Sequence, residues 1–199
     1  MKGYAGFGAT GYRDGFDQGR TDESYVEAQM TIHVDGVNRF ITTPEHQASI
    51  RGVILCDRLG GRLPIRRGIF NIFVDEGDPT RKKVIYRVFF DDAQGNSLTL
   101  SGFKDLHDDP GMDFLSDTTV MFAKIYRGTV LSGEEETTDV VAAGILRVGM
   151  IAFLEQLATF RTEGPTPADR TSALTRFGVF YFGRLWDVYA RRLLSSGPF

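Results

Sequence analysis

From Val26 to Asp35 apolar and polar residues take turns along the chain. Val26, Ala28, Met30, Ile32 and Val34 fall on one side, with Glu27, Gln29, Thr31, His33 and Asp35 on the other. Successive side chains of a strand point to opposite faces, so a period of two held this long predicts a half-buried β-strand. Further strands are predicted over residues 48–56, 68–75, 82–92, 98–103, 118–126 and 137–148. Thr43-Pro44 breaks the pattern, and Leu59-Gly60-Gly61, Glu76-Gly77-Asp78-Pro79 and Ala93-Gln94-Gly95-Asn96 read as turns. The segment GIFNIFVD, Gly68 to Asp75, is apolar on both faces except at Asn71, as a strand covered on both sides would be. The links are too short for helical crossovers, so the pairing is antiparallel. Seven or eight such strands close on themselves to remove their edges. The expected fold is mainly β, a lipocalin-like closed antiparallel barrel of about seven to eight strands over residues 25–148.

The period changes after residue 148. Met150, Ile151, Phe153, Leu154, Leu157 and Phe160 fit one face of an amphipathic helix. Thr166-Pro167-Ala168-Asp169 then supplies an N-cap, a proline at the first helical position and an acid at the third. A second helix is predicted from there to about Leu194. Leu174, Phe177, Tyr181, Leu185 and Val188 make its apolar stripe, which Phe180, Phe182 and the single tryptophan, Trp186, widen. So broad a face must be covered: by the barrel wall, by plugging one barrel end, or by a second copy in a homodimer. Residues 149–199 are thus expected as C-terminal helices packed on the barrel of a single domain. Residues 1–24, rich in Gly, Asp and Arg, read as an N-terminal arm held down by Tyr4, Phe7, Tyr12 and Phe16.

Composition narrows the class of partner. At 199 residues, with 25% charged and 42% hydrophobic residues, the chain is long enough to bury a core and ordinary for a globular protein. A net charge of −3 argues against a nucleic-acid partner, and the cluster Arg62, Arg66 and Arg67 is too small to reverse that. The one cysteine, Cys56, cannot form an internal disulfide, so a cytoplasmic setting is expected. The first residues lack the apolar core of a secretory signal, and no stretch approaches the roughly 18 apolar residues of a membrane span.

Several motifs resemble reactive machinery and are better read as structure. Gly6-Phe7-Gly8-Ala9-Thr10-Gly11 matches G-x-G-x-x-G, whose dinucleotide role requires a strand before it, a helix after it and a βαβ unit around it. With five residues ahead of it and a meander behind, a flexible glycine arm is expected. Ser101-Gly102-Phe103-Lys104 matches S-x-x-K, but residues three apart on a strand point to opposite faces, which excludes a nucleophile pair. His33, His46 and His107 lie in unrelated segments and are expected to be surface or hydrogen-bonded residues, and Cys56 a buried structural thiol. Asp105, Asp108, Asp109, Asp113 and Asp117 are dense but miss the spacing of a calcium loop, and Asp109-Pro110-Gly111 reads as a turn. No metal and no cofactor is expected.

CDRLGGRLPIRRGIFNIFVDEGDPTRKKVIYRVFF, SGFKDLHDDPGMDFLSDTTVMFAKIYRG and GILRV…FLEQLATFR…RFGVFYFGRLWDVY carry a resemblance over residues 12–189. They resemble an accessory region of long bacterial multidomain proteins, which join a cholesterol-oxidase-like flavoenzyme of the glucose–methanol–choline class to an α/β-hydrolase-like module. The similar region is neither the flavin domain nor the hydrolase domain. The resemblance implies a setting among enzymes of sterols or similar apolar molecules, with a flavoenzyme as partner. It transfers no catalytic residue.

Two polar residues stand among apolar strand neighbours: Asn71 between Phe70 and Ile72, and Arg87 between Tyr86 and Val88. Either they pair with each other inside a filled barrel, or they line a lumen of apolar walls and a few directed polar groups. The expected ligand-binding set is Tyr86, Phe90, Phe73 and Asn71, with Arg87 and Lys104. The expected function is a non-catalytic barrel that binds a hydrophobic, sterol- or lipid-like molecule or assists a partner oxidoreductase. Two alternatives stand beside it. One is an isomerase or cyclase working in the lumen, with Arg87, Lys104, Tyr86 or an aspartate in acid–base roles. The other is a homo-oligomerisation or docking module built on the aromatic C-terminal helix.

Overall fold

The computed structural model describes residues 1–75, 77, 81–107, 120–148 and 159–189, with backbone alone at residues 107 and 185–189. Eight strands run in chain order: β1 (Lys2–Phe7), β2 (Tyr25–His33), β3 (Gln47–Cys56), β4 (Gly61–Val74), β5 (Arg81–Asp91), β6 (Ser97–His107), β7 (Val120–Arg127) and β8 (Val140–Arg147). Each pairs antiparallel with the next, and β1 pairs with β8, so the sheet closes into a barrel without an edge. Among the described residues three α-helices accompany it: α1 (Tyr12–Thr21), α2 (Val37–Thr42) and α3 (Pro167–Tyr189). The mainly β closed barrel expected from the alternation is the observed architecture.

The first 24 residues depart from the expected arm. Lys2 to Phe7 form the closing strand, and α1 lies along the outside of β1 and β8. Glycine, which reads as flexibility in the sequence, here serves close approach. A Cβ on Gly15 would sit 2.1 Å from the Ala143 carbonyl oxygen, and one on Gly19 2.5 Å from the Ala5 carbonyl carbon. Tyr12 anchors the start of α1, its ring edge-on to Phe103 at 5.8 Å and Phe122 at 5.6 Å. The glycine motif therefore does follow a strand and open a helix, contrary to the sequence expectation. A dinucleotide unit still does not form, because β2 returns antiparallel to β1 and the first turn of α1 carries Asp14.

Other elements differ at their ends. The β4 strand begins at Gly61 because Arg62, Pro64 and Arg66 face solvent around Leu63, and register shifts along β4 accommodate the interruption. Where Thr43-Pro44 reads only as a break, α2 precedes it. At α3 the predicted cap is present: the Thr166 hydroxyl oxygen accepts from the Asp169 backbone N–H at 3.1 Å, and the hydroxyl donates to the Asp169 carboxylate at 2.6 Å. The expected helix over 149–160, except its last two residues, lies outside the described residues. So do Asp108, Asp109, Asp113 and Asp117, and the end of the second helix beyond residue 189.

The barrel interior is filled rather than open at mid-height. Ile54, Val88, Phe90, Leu100, Met121 and Leu146 are fully or almost fully buried. Eight strands give a lumen just wide enough for such side chains. Polar groups collect instead at one end, where β4 finishes, β5 begins and α3 crosses.

Candidate functional site

Register decides which side chains enter that end. Tyr86 lies opposite Gly102, and Val84 opposite Lys104. Directly paired residues share a face of the sheet. Val84, Tyr86, Val88 and Phe90 therefore point inward along β5, and Leu98, Leu100, Lys104 and Leu106 along β6. Lys104 is a cation in this apolar row, only 7% exposed. Its Nζ stands 5.8 Å from the centre of the Tyr86 ring, whose edge-to-face partner is Phe70 at 5.2 Å.

A cover of α2 and α3 closes this mouth. Phe180 of α3 meets Phe40 at 6.0 Å, His46 at 4.7 Å and Phe73 at 5.7 Å between ring centres. Tyr181 meets Phe73 at 5.9 Å. The His46 Nδ1–H donates to the Phe40 carbonyl at 2.7 Å, which fixes the ring's tautomer and ties the chain after α2 back to that helix. Beside the cover runs a cleft of about 440 Å³ between the two helices, lined by Ile41, Thr42, Thr175, Val179 and Phe180 among others. Phe180 thus separates the cleft from the barrel mouth.

Burial sets the protonation of the mouth. It pushes the Lys104 ammonium down to about 8, because the charged form loses water. It pushes the Tyr181 phenol up to about 12 and holds Tyr86 higher still. The mouth thus combines an amine that is half neutral near pH 8 with two phenols that stay protonated and able to donate. Such a set can hydrogen-bond the polar head of an otherwise apolar molecule.

The expected ligand residues divide between the two sides of the wall. Tyr86, Lys104 and Phe90 point inward, Phe90 deeper than the other two. Phe73, at a positive φ of 56° in the irregular end of β4, turns under α3. Asn71 and Arg87 do not enter the lumen. Asn71 sits on the opposite face from Phe70, and its amide donates to the Glu45 carbonyl at 2.9 Å. Arg87 is 6% exposed because the β7–β8 connection covers it from outside. Its guanidinium bonds Glu135 and donates to the Val130 carbonyl at 3.0 Å, while Thr99 accepts from the Val130 N–H at 2.9 Å. These bonds clip a loop to the wall, and the wall separates Arg87 from Lys104.

The motifs set aside in the sequence stay apart. Ser101 faces outward and Lys104 inward, as strand geometry requires. Cys56 is buried, which pushes its thiol up and leaves it unreactive. Among the described residues no three His, Cys, Asp or Glu side chains gather as a metal site, and no helix is long and apolar enough to cross a membrane. Phe40 belongs to the mouth and was not singled out by sequence, the spacing of Val37, Phe40 and Ile41 being the available signal for α2; His46, expected as a surface or hydrogen-bonded histidine, is hydrogen-bonded and buried in the mouth. Compared with family models, curated proteins and solved structures, the chain gives no significant match.

Proposed function

We propose that this protein is a non-catalytic, lipocalin-like barrel that binds a hydrophobic small molecule of sterol or lipid type at the α2–α3 mouth. The observation that carries this reading is the aromatic mouth: Phe73, Phe180 and Tyr181 stand over the inward-facing Tyr86 and Lys104 at one end of the barrel. Apolar walls with a few directed polar groups are the usual make-up of a small-molecule site. An apolar molecule with one polar head matches the arrangement: head at Lys104 and Tyr86, body among Phe73, Phe180 and Tyr181. The cleft beside Phe180 supplies a route of entry once that side chain turns. The resemblance to accessory regions of sterol-oxidising proteins favours the same ligand class, and a flavoenzyme as the partner that receives it.

Titration with a fluorescent sterol tests this. Saturation at one molecule per chain is expected, with binding weakened about tenfold, or about 1.4 kcal/mol, in Lys104→Met. Absence of saturable binding, together with no lipid in organic extracts of the purified protein, would refute it.

A second reading rests on α3. Its Val179 and Phe182 are 71% and 57% exposed, which favours an interaction surface on the outer side of the cover. A monomer at all accessible concentrations would count against self-association. The lumen-enzyme alternative has no comparable support, since Arg87 and Lys104 do not converge.

A further inference from the structure

Resting on the reading that the outer side of α3 is an interaction surface, we infer that its partner is a second copy of this chain, whose α3 packs antiparallel on it about a two-fold axis. Within the chain only the inner side of this helix is used, where Phe177, Phe180 and Tyr181 pack against the barrel core. Ala168, Ser172, Thr175, Val179 and Phe182 all stand exposed on the other side. Steps of four and three residues line them up as one seam, the spacing by which two helices mesh their side chains. In the sequence the same step runs on to Trp186 and Tyr189. Closure of the barrel leaves no strand edge to extend, so association cannot run through an added strand.

Charge favours a second copy over an acidic or lipid partner. Across a two-fold axis a seam residue lies near its own counterpart, so a charge there would meet its like. The described side chains of α3 include four charges, and each is held off the seam. Asp169 accepts from the Thr166 hydroxyl at 2.6 Å, and Arg170 donates to the Gly164 carbonyl at 3.2 Å. Arg176 donates to the Asn38 side-chain oxygen at 2.8 Å, and the Arg184 guanidinium lies 6.0 Å from the centre of the Phe180 ring. An anionic lipid surface calls for cations that can reach it, whereas these three arginines are engaged within the chain. Size is symmetric as well. Gly178, Val179, Phe182 and Gly183 read small, large, large, small about a point between Phe180 and Tyr181. Antiparallel helices crossing at that point set Val179 against Phe182 of the second copy, and Gly178 against its Gly183, where the backbones can approach.

The pairing reaches the cover of the mouth. Val179 also lines the cleft between α2 and α3, so Phe182 of the second copy lies on the lip of that cleft. A helix of 23 residues offers a face about 34 Å long and roughly 10 Å wide, small for a stable dimer, so a dissociation constant near the micromolar range is expected. Sedimentation equilibrium of the full chain at about 100 μM tests this. A mass of twice 22.2 kDa is expected, falling to that of one chain on dilution. Val179→Glu and Phe182→Lys alter exposed side chains, and folding is checked by circular dichroism. Each alone should raise the dissociation constant about tenfold or more. Mixed in equal amounts the two variants should dimerise again, because the pairing sets the new carboxylate against the new ammonium across the axis.

A single-chain mass at that concentration, a dimer that neither substitution weakens, or broken dimers that mixing does not restore would each overturn the inference. Flotation with vesicles of phosphatidylserine and phosphatidylcholine tests the underlying reading apart from it. If the chain is a monomer that floats with them, and Val179→Glu abolishes this, the outer side of α3 is still an interaction surface and only the second copy is wrong. If it is a monomer that binds no vesicle, the surface reading loses its support as well.

Discussion

At the scale of the residue, the mouth is governed by the cost of burying one charge. Folded Lys104 releases its proton near pH 8, against 10.5 for an ordinary lysine. Below pH 8 both the folded and unfolded chains carry the proton, and the folded state bears the full cost of the buried ammonium. As pH rises from 8 to 10.5 the unfolded chain alone stays charged, so the cost fades and stability rises. Relative to Lys104→Met, the wild-type protein should therefore gain up to about 3 kcal/mol across that window, read from urea midpoints. Taking the difference removes Cys56, Tyr86 and Tyr181, whose raised values act with the opposite sign in both proteins. A flat difference would show that water reaches the amine. Arg87, equally buried, lies on the other side of the wall, where Glu135 and the Val130 carbonyl hold it and it serves architecture.

At the scale of the element, packing at small residues fixes where helices sit. The α1 helix reaches the barrel through Gly15 and Gly19, with the backbones in contact. Gly15→Ala should destabilise the protein by roughly 1–3 kcal/mol, since the new methyl group meets the Ala143 carbonyl. Thermal melts of this variant beside Gly133→Ala supply a contrast. At Gly133 no atom lies close to a new Cβ and only its positive φ of 91° is strained. Equal, small losses would mean that α1 can shift outward at little cost. The α3 helix differs in kind: it is held by aromatic rings on Phe40, His46 and Phe73 and by a hydrogen bond from Arg176 to Asn38 at 2.8 Å, side-chain contacts that can slide or part more easily than interlocked backbone.

At the scale of the whole molecule, closure is the decisive event. Removing residues 1–8 takes away the strand between β2 and β8 and uncovers two long edges. The expected result is loss of a cooperative melt and association seen by size-exclusion chromatography. A variant that still melts cooperatively as a monomer would show that the other seven strands suffice. The strands themselves were legible because alternation is a local consequence of the pleat, as at Val26 to Val34, and the α3 start because its cap lies within four residues. Lys104 and Ser101 could be assigned to opposite faces for the same reason. Asn71 and Arg87 could not, because a strand apolar on both faces gives no sign of which side is the lumen. Only the closed sheet, with the β7–β8 connection folded over its outside, made Arg87 external and Lys104 internal. The glycine-rich start misled for a related reason, since glycine permits both a loose arm and the closest packing. The sequence determined periodicity, caps and therefore strands, because those depend on neighbours along the chain. The tertiary structure alone decided which lysine became the buried amine beneath α3, because inside and outside exist only once the first strand meets the last.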